Sequence, residues 1–553
     1  MKRKGKINLE IAPDEILLDG SNIPEFNKQQ FEGRIERALG GQAVIFLGVI
    51  FALVGVLYTA RVGQLQIVNG DSFRIRSEDN SLRQVVLRTE RAAIYDRNNE
   101  LLAWNKPQIG REYKDIPGLA HVLGYLGFPS REEIAQEETL KPDIRIGKQG
   151  VEKVYEERLR GVIGEKFQEV DSLGRVISEN LYRVPKDGVP LSLTIDSRLQ
   201  SSLYNKMKEV ADARDFSGGA GIIMDVTNGD VLALISFPEF SPSELSGSST
   251  PARVNTLFSD PRTPFLNRAV SGQYAPGSIV KPFMAIAALN EKIISPDTEI
   301  LSAGSIEIPN PFIRGAVSIF KDWKAHGLVD MRHAIAVSSN VYFYEIGGGY
   351  KSLRGLGISR IGEYSKMFGF GQTSGIDLPG ELSGTVPTPK WKRDLFNGED
   401  WLLGDTYHTS IGQYGFLVTP IQMVRATAAI ANGGRLLTPH VAASSTAEGR
   451  QIPIPESYFQ IVREGMRLST QIGTGVILNV PYINFATKTG TAELGEAKAK
   501  VNSWIEGFFP YENPRYAFAI VMERGHVGNT IGAAYVARQF FDWMNIYTPE
   551  YYY

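Results

Sequence analysis

The longest apolar stretch of the chain lies near its start, where residues 38–60 carry no charge and residues 43–60 are almost continuously apolar. About 23 helical residues at 1.5 Å each reach roughly 34 Å, enough to cross the hydrocarbon core of a bilayer. The alternatives are a buried helix and a cleaved signal peptide. A signal peptide fits poorly, because a long mixed-charge stretch comes first and Leu57-Tyr58-Thr59-Ala60 lacks an A-x-A cleavage pattern. The pattern predicts an uncleaved membrane anchor at residues 38–61.

Basic residues on both sides of this anchor bear on its orientation. Those before it are Lys2, Arg3, Lys4, Lys6, Arg34 and Arg37, and those after it are Arg61, Arg74 and Arg76. The positive-inside rule favours a cytoplasmic N-terminus by a small excess. Residues 1–37 mix both signs of charge with few apolar runs, which is typical of a polar cytoplasmic tail. The remainder of the chain is then expected outside the cytoplasm.

Short alternating runs follow the anchor. They predict a strand at residues 84–88 and a strand, polar turn and second strand at 93–103. A short helix is predicted around Val151–Leu159 and a hairpin at residues 171–174. No cluster of catalytic side chains occurs in this part of the sequence. We predict a β-rich pedestal, resembling a dimerisation domain, at residues 62–188.

From residue 189 the pattern changes. A strand at 189–196 leads into an amphipathic helix at 197–212, and an Asn-Gly turn at 227–230 joins two apolar strands at 221–226 and 231–235. A helix follows at 284–291, helices and glycine-rich loops fill residues 331–432, and late strands are predicted at 483–491, 503–509 and 516–523 before a helix at 533–543. Two early strands and three late ones around a helical middle predict one α+β domain at residues 189–553. Its sheet closes through distant segments, so it should not divide further.

Composition narrows the functional classes. The chain has 553 residues, 43% of them hydrophobic and 22% charged, and a net charge of −2, which gives no reason to expect nucleic-acid binding. Its lack of cysteine excludes disulfides, thiolate catalysis and cysteine metal sites. The six histidines show no metal-ligand spacing, so neither a metal nor another cofactor is expected.

Candidate chemistry begins in the stretch Tyr274-Ala275-Pro276-Gly277-Ser278-Ile279-Val280-Lys281-Pro282. A Pro-Gly pair suits a helix start, and residues at i and i+3 share a helix face, so the amine of Lys281 is expected beside the hydroxyl of Ser278. Such an amine can activate a serine without histidine. Chance supplies roughly two S-x-x-K matches in a chain of this length, so the motif alone is weak.

Two further motifs give the first its weight. Ser338-Ser339-Asn340 lies between a helical run and an aromatic one, and Lys488-Thr489-Gly490-Thr491 ends a predicted strand. S-x-x-K, S-x-N and K-T-G in this order form the active-site signature of penicillin-binding proteins and serine β-lactamases. Any one of these motifs alone could be a capped helix or a polar loop. Ser178-Glu179-Asn180, for example, also matches S-x-N but is interpreted as a turn.

The chemistry of acyl transfer needs these residue types. Ser278 Oγ would attack a carbonyl carbon while Lys281, kept neutral by burial and by the second cation Lys488, takes its proton. Ser338 could relay that proton to the leaving amine, and Asn340 could hold Lys281 or a substrate amide. The N–H groups of Ser278 and Thr491 are the expected oxyanion donors. Thr489, Thr491 and Lys488 would bind a substrate carboxylate, and Gly490 leaves room for the substrate along the strand.

Beyond the motifs, the chain resembles the class B penicillin-binding proteins, monofunctional transpeptidases of peptidoglycan synthesis. The run Arg91–Asn99 resembles R-G-x-I-x-D-R-x-G, with Ala92 and Asn99 where glycine is usual, and Gly147–Glu152, Leu159–Gly161 and Pro264–Ala269 also match. The resemblance covers the chain from the anchor almost to its end. It implies the penicillin-binding and serine β-lactamase-like fold, a five-stranded antiparallel sheet with helices on both faces.

Within that class, the elongation branch, penicillin-binding protein 2, is the most similar. Phe368–Gly371, Gly375–Glu381, Pro389–Lys392 and Gly404–Thr406 carry the likeness. The stretch Ser410–Gly415 departs from this likeness, because it reads Gly412-Gln413-Tyr414 where the sequence G-Q-G is usual. The stretch between Asn105 and Gly147 is short for the branch, so the head of the pedestal, which meets partner proteins in relatives, is expected to be reduced.

The resemblance implies a D,D-transpeptidase of the bacterial cell (inner) membrane that cross-links stem peptides through an acyl-enzyme on Ser278 and is acylated by β-lactams. It also implies a SEDS-family (RodA-like) glycosyltransferase and other wall-synthesis proteins as partners. The alternatives are a division-type septal transpeptidase, a D,D-carboxypeptidase, a β-lactamase, and a non-enzymatic β-lactam sensor or scaffold. The sequence has no obvious glutamate motif for deacylation, which argues against a β-lactamase. The N-terminal tail of about 37 residues is too small for the effector domain of a sensor.

Overall fold

The structure is a computed structural model that describes residues 41–87, 89–106, 110–137, 140–171, 173–247, 250–443, 446–495 and 499–553. The predicted tail at residues 1–37 and the first residues of the predicted anchor, 38–40, lie outside the described residues.

The helices are α1 (Gly41–Gly63), α2 (Gly70–Ser81), α3 (Ala120–Leu123), α4 (Arg131–Gln136), α5 (Gly150–Val154), α6 (Glu156–Arg160), α7 (Ser197–Arg214), α8 (Pro242–Ser246), α9 (Pro251–Ser259), α10 (Arg268–Ser271), α11 (Lys281–Asn290), α12 (Met331–Ala336), α13 (Asn340–Gly348), α14 (Gly357–Met367), α15 (Pro389–Leu395), α16 (Leu403–Ser410), α17 (Pro420–Ala431), α18 (Glu456–Ile472) and α19 (Ala533–Tyr547). The strands are β1 (Leu82–Leu87), β2 (Ile94–Tyr95), β3 (Leu101–Lys106), β4 (Gly110–Tyr113), β5 (Leu126–Gly127), β6 (Ile146–Gly147), β7 (Gly164–Val170), β8 (Val176–Arg183), β9 (Leu191–Ser192), β10 (Gly218–Asp225), β11 (Val231–Phe237), β12 (Ile300–Ser302), β13 (Ser305–Pro309), β14 (Val317–Lys321), β15 (Gly327–Val329), β16 (Arg435–Leu437), β17 (Gly449–Gln451), β18 (Ala486–Leu494), β19 (Lys500–Phe509) and β20 (Tyr516–His526).

Two units can be separated in the described residues. The first comprises the described residues up to Val85 together with Lys166–Tyr182, and the second comprises Val86–Glu165 together with Arg183–Tyr553.

The first unit contains the predicted anchor. Helix α1 continues through a π-helical turn, and the segment Val44–Val68, with a mean hydropathy of 2.2, is long and apolar enough to cross a membrane by length and composition. The apolar span therefore runs past the predicted end at residue 61. Strands β1, β7 and β8 form a three-stranded sheet in that order. The hairpin predicted at 171–174 is confirmed, because Asp171 Oδ1 accepts hydrogen bonds from the N–H groups of Leu173 and Arg175, each at 2.9 Å.

The second unit begins with a four-stranded sheet in the order β4-β3-β2-β9 and a two-stranded sheet of β5 and β6. The strand, turn and strand predicted at 93–103 are confirmed as β2 and β3. The strand predicted at 189–196 is regular only in β9, which runs parallel to β2, because Leu193 pairs with Ala442 in an isolated bridge. The helix predicted at 151–159 is interrupted at Tyr155, whose hydroxyl donates to Asp377 Oδ2 at 2.6 Å.

A five-stranded antiparallel sheet is the centre of the second unit, in the order β11-β10-β20-β19-β18. Two early strands and three late ones form it, as the sequence predicts. Side chains alternate between its faces. One face packs on α7 and α19 through Leu203, Phe518 and Phe541, and the other packs on α17, through residues such as Val424, and on α18. Helices therefore cover both faces, and β18 is left as an edge strand beside the candidate site.

The region between α11 and α12 contains structure that the sequence does not predict. Two short hairpin-like pairs, β12 with β15 and β13 with β14, occupy residues 300–329. Several of their outward side chains are exposed and apolar, for example Val317 and Ile319, so no clear apolar and polar alternation marks them. They matter to the site because Asp322 follows β14.

Candidate active site

Ser278 lies in a 3-10 turn, Gly277–Val280, which leads directly into α11. Gly277 has a φ of +58°, its N–H donates to the Gly412 carbonyl at 2.9 Å, and a Cβ built on it would lie 2.8 Å from the Thr491 carbonyl oxygen. A side chain at this position would therefore be strained and would collide with β18. The result is that the Ser278 turn lies against the strand that carries the K-T-G motif.

Lys281, one turn further on, is completely buried. Its Nζ donates to the Ser338 carbonyl at 2.8 Å and to Asn340 Oδ1 at 2.7 Å, and lies 3.3 Å from Ser338 Oγ. A neutral amine has two N–H bonds and one lone pair. The carbonyl and the amide oxygen can only accept, so they occupy both N–H bonds of the neutral amine, and its lone pair remains to accept a proton from a hydroxyl such as that of Ser338.

The S-x-N motif is the junction between α12 and α13. Ser338 takes a left-handed conformation with φ of +59°, which is uncommon for a residue with a side chain and marks strain held by its surroundings. Ser339 caps α13, accepting from the Tyr342 N–H at 3.2 Å. Asp322 Oδ2 accepts from Ser339 Oγ at 2.8 Å and from the Val341 N–H at 3.0 Å. These contacts hold the turn that presents Ser338 and Asn340.

Lys488 completes the group from β18 and is also completely buried. Its Nζ donates to Ser338 Oγ at 2.8 Å and to the Thr489 carbonyl at 2.7 Å. The Ser338 hydroxyl therefore lies between two lysine amines. The structure brings Lys281, Ser338, Asn340 and Lys488, which come from segments far apart in the sequence, into one hydrogen-bonded cluster.

The rest of the K-T-G strand divides between two faces. Lys488 and Gly490 are buried, whereas Thr489 is half-buried and Thr491 exposed. A Cβ on Gly490 would lie 2.9 Å from the Pro276 carbonyl oxygen, so glycine here allows the Ser278 turn to approach the strand, a role that the sequence does not reveal. The Thr489 hydroxyl donates to Thr474 Oγ1 at 2.6 Å. Because β18 is an edge strand, its outer backbone groups are available to a ligand.

The hydroxyl of Ser278 makes no hydrogen bond to any residue that the structure describes, and the residue is partly exposed. Ser278 is therefore accessible from solvent, whereas Lys281 and Lys488 are fully buried. Groups of three or more histidine or acidic side chains able to hold a metal ion do not occur in the described ranges.

The electrostatics agree with a neutral base. Burial, followed by repulsion from Lys488, holds the pKa of Lys281 well below its usual range, with Asp322 opposing the shift. Burial also lowers the pKa of Lys488 to about 7, with Glu506 opposing it. Both shifts favour the neutral form of the Lys281 amine, the form that acyl-transfer chemistry requires.

Two acidic residues of this site are missed by the sequence reasoning. Asp322 follows a short exposed strand, and nothing in the local pattern separates it from a surface acid. Glu506 does leave a signal, because it is a single acid within the otherwise apolar strand stretch Trp504–Phe509. A lone charged residue in a buried strand usually has a partner.

Comparisons with known proteins agree with this geometry. Residues 219–542 match the penicillin binding protein transpeptidase domain, and residues 107–193 match the penicillin-binding protein dimerisation domain. Peptidoglycan D,D-transpeptidase MrdA of Escherichia coli (strain K12) is 28% identical over 92% of this chain and 94% of its own length. The protein of the same name from Salmonella typhimurium (strain SL1344) is 31% identical over 80% of this chain and 73% of its own length.

Solved structures point to the same branch. Penicillin-binding protein 2 from Helicobacter pylori, solved in complex with MreC, has a TM-score of 0.74 and 26% identity, covering 85% of this chain and 100% of that one. Penicillin-binding protein 2 of Pseudomonas aeruginosa, in complex with WCK 5153, has a TM-score of 0.69 and 28% identity, covering 83% and 97%.

The chain belongs to the penicillin-binding protein transpeptidase family. Within it, the chain is a class B protein of the elongation type, since its named relatives are MrdA and its structural neighbours are penicillin-binding protein 2. The resemblance seen in the motifs is thereby confirmed.

Proposed function

We propose that this chain is a peptidoglycan D,D-transpeptidase of cell elongation, which cross-links stem peptides through an acyl-enzyme on Ser278 and is inhibited covalently by β-lactams. The observation that carries the proposal is the buried Lys281 amine, with both N–H bonds engaged by Ser338 and Asn340 and its lone pair free one helical turn from Ser278. The names of the relatives support the reaction type.

In acylation, Ser278 Oγ attacks the penultimate D-alanyl carbonyl carbon and its proton passes to Lys281 Nζ. The N–H groups of Ser278 and Thr491 receive the developing oxyanion. The bond from the carbonyl carbon to the terminal D-alanine nitrogen then breaks, and that nitrogen takes a proton through Ser338, whose hydroxyl lies between Lys281 and Lys488. The products are an ester on Ser278 and free D-alanine.

In the second step, an amine from a neighbouring stem peptide attacks the ester and gives its proton to the site. An amide cross-link forms and Ser278 Oγ is released with a proton. Thr489 and Thr491, with the positive charge of Lys488, are the groups we assign to the substrate carboxylate, because they lie on one strand beside Ser278. A β-lactam follows the first step only, since its ring carbonyl presents the same electrophile next to a carboxylate.

Cell location and partners belong to the same proposal. We assign the segment Val44–Val68 as a single-pass anchor with a cytoplasmic N-terminus. The remainder of the predicted pedestal range 62–188 then follows the anchor, and residues 189–553 are the extracytoplasmic transpeptidase domain. Partners from the wall-synthesis machinery are supported by the complex of the Helicobacter pylori relative with MreC. A SEDS-family (RodA-like) glycosyltransferase is the partner that we assign to the anchor and pedestal, and co-purification from membranes in mild detergent tests that assignment.

The decisive experiment is labelling of the full chain, in detergent-solubilised membranes, with a fluorescent penicillin. Covalent labelling is expected for the natural chain and is expected to vanish in Ser278→Ala. The chain offers a matched control in Ser318, since Ser318-Ile319-Phe320-Lys321 is its other S-x-x-K match but lies in β14, where residues i and i+3 point to opposite faces. Ser318→Ala should label normally.

Absence of labelling, or labelling that survives Ser278→Ala, would refute the proposal. Product analysis with stem-peptide substrate then separates the reaction types. Cross-linked dimer is expected, whereas trimmed monomer alone would identify a D,D-carboxypeptidase and rapid loss of the penicilloyl label a β-lactamase. Restoration of growth by Ser278→Ala in a depleted strain would identify a scaffold.

A further inference from the structure

A fully buried carboxyl group lies directly beside Lys488 and takes no part in the mechanism above. Glu506 is on β19, and its partner across the antiparallel pair is Lys488 on β18. Opposed residues in such a pair carry their side chains on the same face, with Cβ atoms about 4.5–5.5 Å apart. Both side chains are completely buried. The acid and the amine therefore share one enclosed space next to Ser338.

The hydrogen bonds around Glu506 fit a protonated carboxylic acid. The Thr427 hydroxyl lies 2.8 Å from the Met423 carbonyl oxygen and 2.7 Å from Glu506 Oε2. A hydroxyl has one proton, and a carbonyl oxygen can only accept. The Thr427 hydroxyl therefore shares its one proton between these two acceptors, and an ionised Glu506 would have no more than this shared bond. The other carboxyl oxygen, Oε1, is buried and has no hydrogen-bond partner in the described part of the chain, which costs a charged group more than a neutral one.

The surroundings of Glu506 offer one charged neighbour. Strand β20 places Ala519 opposite it, helix α17 contributes the uncharged Thr427, and β18 contributes Lys488. No ion pair joins Glu506 to Lys488 in the described structure, because the lysine Nζ is turned toward Ser338 Oγ and the Thr489 carbonyl. Lys281 is the next cation, beyond Ser338, and Asp322 acts on it from the opposite side. While Glu506 is neutral, the charge on Lys488 is uncompensated from this side.

We propose that Glu506 is a positioning residue of the active site, a buried acid whose gain or loss of a proton sets how much positive charge Lys488 presents to Ser338 and Lys281. In the protonated form, the full charge of Lys488 repels a proton from Lys281 and attracts the carboxylate of the substrate. In the ionised form, Glu506 neutralises that charge and both effects are lost. The inference rests on the proposed function, because it concerns the regulation of the same site.

The two groups titrate close together. Burial raises the pKa of Glu506 to about 8, opposed by the Thr427 hydroxyl and Lys488, and burial lowers the pKa of Lys488 to about 7. They therefore lose two protons as a coupled pair over the same alkaline range. Well below pH 7 the pair keeps both protons, so Glu506 is neutral and Lys488 carries its positive charge. Well above pH 8 the pair has lost both protons, so Glu506 is ionised and Lys488 is neutral.

The test compares the pH dependence of acylation by a fluorescent penicillin in the full chain and in Glu506→Gln, an uncharged mimic of the protonated acid. At pH 6 the two should acylate within about threefold of each other. Above pH 8 the rate of the natural chain should fall with a logarithmic slope near −2, and that of Glu506→Gln with a slope near −1, since one proton is lost instead of two. At pH 9 the variant should be about tenfold faster, one pKa unit above the second step.

Glu345→Gln is the matched control. Burial raises the pKa of Glu345 to about 7, but its charged neighbour is Lys351, so its loss should leave the steep slope unchanged. Equal slopes in the natural chain and Glu506→Gln would overturn the inference, as would loss of acylation at pH 6 in a variant with unchanged thermal unfolding.

If Glu506→Gln does not fold, the pH dependence of acylation is measured in Thr427→Val instead. Removing the hydroxyl deprives the ionised carboxylate of its hydrogen bond, so the steep fall should move to higher pH, and an unmoved fall would overturn the inference. Absence of acylation in the natural chain at every pH would instead remove the proposed function itself.

Discussion

Replacement of Gly277 by alanine tests whether the contact between the Ser278 turn and β18 sets the geometry of the site. The new Cβ would lie 2.8 Å from the Thr491 carbonyl oxygen, whereas a carbon and an oxygen in ordinary contact are about 3.3–3.6 Å apart. The turn must therefore retreat from the strand by about 0.5 Å or more. Since a misplacement of about 1 Å can cost about a hundredfold in rate, a loss of roughly tenfold in acylation is expected.

The same substitution also costs stability. A residue with a side chain at φ of +58° is disfavoured by about 1–2 kcal/mol. Gly357→Ala separates the two effects, because Gly357 has a φ of +72° but no atom within 4 Å of a built Cβ. It should lower the unfolding temperature without changing acylation.

The assay is the second-order rate of labelling by a fluorescent penicillin, measured beside thermal unfolding for each variant. A folded Gly277→Ala protein that acylates as fast as the natural chain would show that the turn and β18 do not need this close approach. The reasoning about Gly490, whose built Cβ meets the Pro276 carbonyl oxygen, would then fail as well.

Two further predictions concern the base and the membrane. Lys281→Met should abolish labelling and yet raise the unfolding temperature at pH 7. The folded state depresses the pKa of this lysine, so the stability of the natural chain increases only as the pH rises toward the pKa of the lysine in the unfolded chain, and methionine removes that cost. An unfolding temperature that falls would contradict the assignment of a buried, neutral amine. For the anchor, the lack of native cysteine allows single-cysteine labelling with a membrane-impermeant maleimide in intact cells. Cysteine at the exposed Gln471 should react at once and cysteine at Lys4 only after lysis, and the reverse result would refute the orientation.

The sequence predicts the elements whose patterns are local. The α7 helix, the β10–β11 hairpin and the three late strands follow from apolar periodicity and an Asn-Gly turn, and the three motifs identify the residues of the candidate site. It does not predict the β12–β15 region, where short strands carry exposed apolar residues such as Ile319. Nor does it reveal partners that depend on tertiary approach. Asp322 and Glu506 reach the site from segments with no motif of their own.

The structure adds a second role for one glycine of the K-T-G motif. Gly490 is predicted to leave room for substrate, and the structure adds that its missing side chain admits the Ser278 turn. Tyr414, which departs from the pattern of the branch, adopts a φ of +58° and stacks among Trp391, Phe396 and Trp401. A glycine-like conformation is therefore kept at this position by aromatic packing.

The order of strands in the central sheet has a consequence for the folding of the chain during its synthesis. Strand β10 pairs with β20, so that Gly218 lies opposite Glu523, about three hundred residues later in the chain. The nucleophile emerges from synthesis long before Lys488, and an unfinished chain has only an unpaired edge at β10. Such a chain lacks the Lys488 amine and exposes this edge to aggregation, so the hydrogen-bonded cluster around Ser338 can form only after the last strands have paired. Pairing between segments so far apart in the chain is expected to slow folding, because a large loop must close first.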